Sequence, residues 1–432
     1  MKVTGIIAEY NPFHNGHQYQ IETIKKETGS DYVIVAMSGD FVQRGAPALV
    51  DKYVRTKMAL LGGADLVLAL PALWSVSSAE YFALGGVSLL SSLGIVDYLC
   101  YGCETMQPDL FPAISRILLT EPLDYRNLLL KNLKSGLSFP LARSLALEEY
   151  IAASKYETPV FSDITPENLH EMLNAPNNIL ALEYLKAMHR LNSPLTPRPI
   201  LRTGARHHDT EVHGDICSAT YLRDLFLHGE TSSNHQFHNY INTASLELLS
   251  SYFQKNPPLS ENDCSNILDY KLLSQRQQGF ANYADCTPAL SNRLCNQLDG
   301  CSSLSELIGR LNTKNTTYTH LSRVLMHILL DMKQEDYQVY SNQPSPYGRI
   351  LGFRQSSAPL LHALKSHSSI PLITSLADSI KQMDASSNHL LQLDCFSRDI
   401  FRSILRQKGG QLLPNDYQRS PVKINDEINA VR

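Results

Sequence analysis

A chain of 432 residues exceeds what one hydrophobic core usually organises and implies more than one domain. With 43% hydrophobic and 19% charged residues and no apolar run of bilayer length, it excludes a disordered chain and a membrane span. A formal net charge of −4 and eight scattered cysteines without a secretory leader suggest a cytoplasmic protein with free thiols, not a disulfide framework.

In chain order, Val3 to Ala8, Tyr32 to Met37, Leu66 to Leu70 and Val96 to Tyr101 are short apolar runs bounded by Gly, Asp or Pro, and read as buried strands. Gly16 to Thr28, Asp51 to Leu61 and Ser78 to Leu93 suit crossover helices between them. This rhythm predicts an α/β fold, a Rossmann-like doubly wound parallel sheet. From about 109 to 175 the pattern turns helical and reads as an inserted layer. "APNNILALEYLKAMHRL" then opens a periodic helix, "PRPILRT" a fifth strand ending near Arg202, and "SATYLRDLFLHG" a short helix closed by Gly229. The polar stretch Glu230 to Ser245 reads as a connection, dividing residues 1–230 from a mainly α-helical region, 231–432, with one further α/β element at "PLITSLADSI". Cys100 and Cys103 have redox or zinc spacing, but no second CxxC or Cys/His pair at metal-ligand spacing accompanies them, so packing is the reading and no metal ligand set is predicted.

Chemistry concentrates at "GIIAEYNPFHNGHQYQ". If the strand ends near Ala8 and a helix starts near Gly16, then His14 and His17 stand at the carboxyl edge of the first strand, where open α/β sheets bind ligands. The helix amino terminus would offer unpaired N–H groups, Gly16 close approach, and the two imidazoles hydrogen bonds to one oxyanion. In "DICSATYLRDLF", Ser218 and Thr220 open a helix and Arg223 adds a fork suited to phosphate, although Ser or Thr there can be only a cap. Together HNGH and SATYLR resemble the nucleotidyltransferases related to class I aminoacyl-tRNA synthetases. That resemblance implies attack of a nucleophile on the α-phosphate of ATP, with release of pyrophosphate.

The stretches "AEYNPFHNGH", "MSGDFVQRGAPALVDKYVRTKMAL", "GADLVLALP", "YGCE", "APNNILALEY", "ILRTGARHHD" and "SATYLR" are similar to the tRNA(Met) cytidine acetate ligase family. The family resemblance implies activation of acetate with ATP as acetyl-adenylate, then transfer of acetyl to N4 of the wobble cytidine (C34) of elongator tRNA(Met), giving N4-acetylcytidine. It makes residues 1–230 the catalytic domain and 231–432 the tRNA-binding region, with Mg²⁺ expected alongside ATP.

The same resemblance implies an ATP-binding segment running through Ile7, Ala8, Glu9, Tyr10, Asn11, Pro12, Phe13, His14, Asn15, Gly16, His17, Gln18, Tyr19 and Gln20. Further nucleotide contacts are expected at Gly102, at Asn177 or Asn178 with Asn177 preferred, and at Arg202, with Ser218, Thr220 and Arg223 from the second motif. His14, His17 and Arg202 are the catalytic candidates. Asp40, Gln43 and Arg44 of "MSGDFVQRG" are candidates for acetate or the target base, or else loop caps and a surface ion pair. The basic residues Lys52, Arg55, Lys57, Arg310, Lys314, Arg323, Arg349 and Arg354 are tRNA candidates, the later ones interleaved with Tyr318 and Tyr347 in a pattern suited to stacking and phosphate contact. A small-molecule adenylyltransferase and an RNA-binding factor with a regulatory nucleotide site are the alternatives; the long region after Gly229 argues against the first and the intact motifs against the second.

Overall fold

In the computed structural model, residues 1–154, 158–162, 164–202, 218–229, 235–340 and 345–425 are described. The first apolar run forms β1 (Val3–Ala8), which passes through a polar loop into α1 (Asn15–Thr28) and β2 (Tyr32–Ser38). A small antiparallel hairpin of β3 (Phe41–Val42) and β4 (Ala46–Pro47) leads to α2 (Lys52–Leu61) and β5 (Leu66–Leu70). The one-turn α3 (Ala72–Ser75) and the longer α4 (Ala79–Ser92) carry the chain back across the sheet to β6 (Tyr98–Cys103). Four helices, α5 (Leu110–Thr120), α6 (Leu123–Lys134), α7 (Phe139–Ser154) and α8 (Pro166–Asn174), make the inserted layer, before α9 (Pro176–Arg190), β7 (Thr196–Leu201) and α10 (Ala219–Leu227).

Successive residues of the inner strands feed opposite faces, as pleating requires. Leu66, Leu68 and Leu70 enter one buried cluster with α4 and the inserted helices, whereas Val67 and Ala69 enter the other with α1 and α2. Helix α4 lies close on β1 because two glycines leave room for it. A Cβ on Gly5 would come 2.7 Å from Leu90 Cδ1, and one on Gly86 2.6 Å from Ile7 Cδ1.

Including β8 (Gly348–Arg354), β9 (Leu372–Ile373) and β10 (Val422–Ile424), the strand order is β10-β8-β5-β2-β1-β6-β7, with β9 beside β8. All pairings in this sheet are parallel except β5 with β8. From β1 the chain winds outward to β2 and β5, then returns to place β6 on the other flank of β1. That reversal opens a crevice at the carboxyl ends of β1 and β6.

The sheet does not end at residue 230. Helices dominate 243–340, and one long helix spans Ala385–Gln407, but three strands from this half complete the sheet. "YGRILGF", expected to meet RNA within a helical region, is β8, with Leu66 paired to Phe353 and Ala69 to Arg349. Its glycines permit close packing: a Cβ on Gly352 would lie 2.7 Å from Thr56 Cγ2 of α2. No helix among the described residues is long and apolar enough to cross a membrane.

Candidate active site

Helix α1 is capped by its own histidines. His14 is the N-cap, and its Nδ1 accepts the Gly16 amide at 3.0 Å, while His17 Nδ1 accepts the His14 amide at 3.2 Å. Two imidazoles thus perform the reciprocal bonding that Ser and Glu usually supply in a capping box. A ring nitrogen that accepts from an amide carries no proton, so each imidazole bears its hydrogen on Nε2. The rings stack with centroids 3.8 Å apart, and Tyr10 leans on His17 at 4.7 Å. Burial, reinforced by Arg202 and Arg223, lowers His14 to about 3. Burial, His14 and Arg202 likewise hold His17 well below the ordinary histidine value. Both are neutral donors at physiological pH.

The helix amino terminus is less open to an anion than its sequence suggests. The Asn15 amide donates to the Tyr240 carbonyl at 2.8 Å, and the His17 amide to the His14 carbonyl at 2.9 Å. With the Gly16 amide taken by His14, anion contact falls to side chains and not to the α1 backbone. Asn15 also donates its side-chain amide to the Asn239 carbonyl, and Gln18 bonds to Asn242 and Glu22. These two residues, with Pro12 and Phe13, lie outside the cleft wall.

The cleft at the crevice encloses about 210 Å³. Ile7, Ala8, Glu9, Tyr10, Asn11, His14, Gly16, His17, Tyr19 and Gln20 line it from the β1–α1 side. Opposite stand Gly102 and Arg202, at the ends of β6 and β7. The Arg202 amide is tied to the Cys103 carbonyl at 2.9 Å, and a Cβ on Gly102 would come 3.2 Å from Arg202 Cγ. Ser218 caps α10 by accepting the Tyr221 amide. Arg223 fastens α10 to the HNGH loop, donating to the Asn11 carbonyl at 2.8 Å and to Thr220 Oγ1 at 3.0 Å.

The two asparagines separate. Asn178 is fully buried, accepting the Glu104 amide and donating to Thr105 Oγ1 and the Met172 carbonyl, and so does not contact the cleft. Asn177 lines it, anchored to Glu104 Oε1 at 2.5 Å. Gln43 and Arg44 also line the cleft, whereas Asp40 is 3% exposed and paired with Lys52 and Arg398, too enclosed to hold acetate or a base. Sequence reasoning missed the apolar wall of Phe82, Tyr101, Leu180 and Tyr184. Its signal was the spacing of Asn177, Leu180 and Tyr184, which share one helical face.

The basic residues divide by burial. Lys52 and Arg349 converge on Asp416 at 2.9 and 2.7 Å. Arg55 is fully buried, donating to the carbonyls of Glu9, Ser38, Gly39 and Val50, and Arg354 bonds the carbonyls of Leu60 and Ala64. Tyr347 is buried against Asp394. These four cations and Tyr347 are therefore structural, in correction of the RNA-contact reading. Arg310 is exposed but spends its guanidinium on the Asp299 and Gly300 carbonyls and Glu306. Tyr318 bonds Glu261, Arg323 is half-buried, and Lys57 and Lys314 are exposed. Burial pushes the Cys103 thiol up to about 11 and raises Cys100 further, as packing residues would be. Among the described residues, no group of three or more His, Cys, Asp and Glu is placed to hold a metal ion.

Residues 1–413 match the HIGH Nucleotidyl Transferase family. The chain is 37% identical to the tRNA(Met) cytidine acetate ligase of Acetivibrio thermocellus, over 93% of this chain and 94% of that protein. It is also 37% identical to the enzyme of the same name from Clostridium kluyveri, over 98% of this chain and 100% of that one. Among solved structures it resembles apo Thermotoga maritima TmcAL, with a TM-score of 0.89 and 26% identity over 98% of this chain and 100% of that one. The form of that protein bound with alpha-thio ATP aligns with a TM-score of 0.88 at 25% identity, with the same coverage.

Proposed function

The chain belongs to the HIGH nucleotidyl transferases and, within them, to the tRNA(Met) cytidine acetate ligase family, and from that premise we propose how its own residues carry the ATP-dependent ligation. One observation carries the reading. Two neutral imidazoles, both protonated on Nε2, share a cleft with Arg202 and Arg223 at the switch point of the sheet. Such an array suits an α-phosphate, because preorganised donors gain most where negative charge develops.

In the first step an acetate oxygen attacks the α-phosphorus of ATP, pyrophosphate leaves, and acetyl-adenylate remains. His14 and His17 donate to the α-phosphate oxygens from Nε2, and Arg202 balances the charge. Asn177, Gly102 and the apolar wall hold the nucleoside. Mg²⁺ accompanying ATP would supply charge neutralisation; no described group of His, Cys, Asp and Glu is placed to hold it, and of this chain's own residues Arg202 and Arg223 offer positive charge to the phosphates. In the second step the N4 amine of the wobble cytidine (C34) of elongator tRNA(Met), splayed from the anticodon loop, attacks the acetyl carbon and releases AMP. No covalent enzyme intermediate is required, which agrees with buried cysteine thiols raised in pKa.

The test is incubation with ATP, labelled acetate and an elongator tRNA(Met) transcript, followed by nuclease digestion. N4-acetylcytidine is the expected product. Demonstrated ATP binding without that nucleoside overturns the reading.

A further inference from the structure

Glu9 is out of place in a cleft built for anions. It leaves the carboxyl end of β1 half-buried, and it is the one carboxylate among the described residues lining the cleft, whose other charged members are Arg44, Arg202 and Arg223. A carboxylate repels both the triphosphate and acetate, so its presence costs ground-state affinity and calls for a task outside ATP binding.

Its position is held on two sides. The Gln43 amide donates to Oε1 at 2.9 Å, and the buried Arg55 guanidinium grips the Glu9 carbonyl at 2.6 Å. No donor among the described residues reaches Oε2. One oxygen is thus anchored and the other is available to a substrate hydrogen.

Acyl transfer to cytidine creates a need for such an acceptor. As N4 bonds to the acetyl carbon, the bond from that carbon to the adenylate oxygen breaks, AMP departs with the electron pair, and N4 must surrender a proton. The N4 lone pair is delocalised into the pyrimidine ring, so proton removal during attack accelerates the step. The other polar groups of the cleft are unsuited. His14 and His17 have Nδ1 filled by backbone amides and Nε2 already protonated. Burial raises the hydroxyls of Tyr10, Tyr101 and Tyr184, which leaves them as donors. Glu104 is bonded to Asn177 and stands outside the cleft wall.

We propose that Glu9 is the catalytic base of the acyl-transfer step, accepting the cytidine N4 hydrogen on Oε2 and taking that proton as the N–C bond forms. A carboxylate is also the side chain that pairs naturally with a cytosine N4 amine, so the same contact selects cytidine over uridine. The proton then passes to water when the acetylated tRNA leaves. This assignment rests on the ligase reading above.

The experiment separates the two half-reactions. Glu9→Gln keeps the acceptor for the Gln43 amide and the side-chain volume but cannot take a proton. Acetate-dependent ATP–pyrophosphate exchange, which takes place in the same cleft, is expected to fall at least about tenfold less than transfer does. Single-turnover transfer from enzyme-bound acetyl-adenylate to tRNA is expected to fall by about 100-fold or more. Glu9→Asp, which keeps a carboxylate, should retain more transfer activity than Glu9→Gln. Unchanged transfer in Glu9→Gln overturns the proposal and leaves the adenylate phosphate as acceptor. A parallel fall in exchange and transfer also overturns it, because Glu9 would then serve activation. If the wild-type protein itself forms no N4-acetylcytidine, the ligase reading fails first, and the two failures are distinguishable.

Discussion

The cleft and the charge network under its rim are built from the same residue types but carry opposite electrostatics. In the network, Asp416 meets Lys52 and Arg349 and accepts from the Tyr53 hydroxyl, while Arg398 reaches Asp40 at 3.2 Å and Asp51 at 2.6 Å. Against the opposing effect of burial, Asp416 and Asp40 raise Lys52, Asp416 raises Arg349, and Asp40 and Asp51 raise Arg398. In the cleft the balance is reversed. Burial lowers Arg202, with Glu104 only partly offsetting it, and burial and Arg44 lower Arg223 to about 10. Cations closed on carboxylates hold a fold together; cations gathered around a cavity without enough carboxylate await an anion.

The sharpest break in this comparison is Asp416→Ala. It leaves Lys52 and Arg349 buried without their shared partner and should cost about 3–5 kcal/mol of stability, measured by urea unfolding. Arg202→Ala, which removes an undercompensated charge, should not lower the urea midpoint. Next in size, His17→Ala should slow acetyl-adenylate formation by about 100- to 1000-fold while tRNA affinity stays within about twofold, since the proposed mechanism assigns the lost donor to the α-phosphate. A variant that lost tRNA binding alone would place His17 outside the chemistry.

Stability against pH separates the two regions again. His14 and His17 are lowered in the fold, so below about 6.5 the unfolded chain binds protons that the native protein refuses, and stability falls as pH falls. Asp416 is lowered by Lys52 and Arg349 against the effect of burial; its contribution is present above an unfolded value near about 4 and is lost only below it. Between pH 7.5 and 5 the urea midpoint of wild type should therefore drop, and that of His14→Asn should drop less. The smallest effect concerns the surface. Lys314→Ala should weaken tRNA binding several-fold and reduce its salt slope by about 1, whereas Arg310→Ala should leave both nearly unchanged, because that guanidinium is already bonded within the protein.

Much of the first half was legible without coordinates. Short continuous apolar runs have few alternatives to buried parallel strands, and those from Val3 to Tyr101 emerge within a few residues of the expected limits. The end of the "SATYLR" helix was legible too, at Gly229. β8 was not, because Gly348 and Gly352 interrupt a seven-residue run and nothing local reveals that β5 offers a free edge some 280 residues earlier in the chain. The capping role of the histidines was hidden for a different reason: Nδ1 and Nε2 are distinguished only by which amide lies within reach.

By itself the sequence determined the β1–α1 turn, the order of strands and helices in the first half, and the presence of two motifs suited to an α-phosphate, because these follow from local periodicity and side-chain chemistry. Which cations line the cleft was decided only by tertiary structure. Lys52, Arg55 and Arg349 look like Arg202 and Arg223 in a row of letters, and only their burial against distant carboxylates and carbonyls makes them framework. The same holds for Glu9, whose significance arises from being the lone acid among the described residues lining a cleft that the fold reserves for anions.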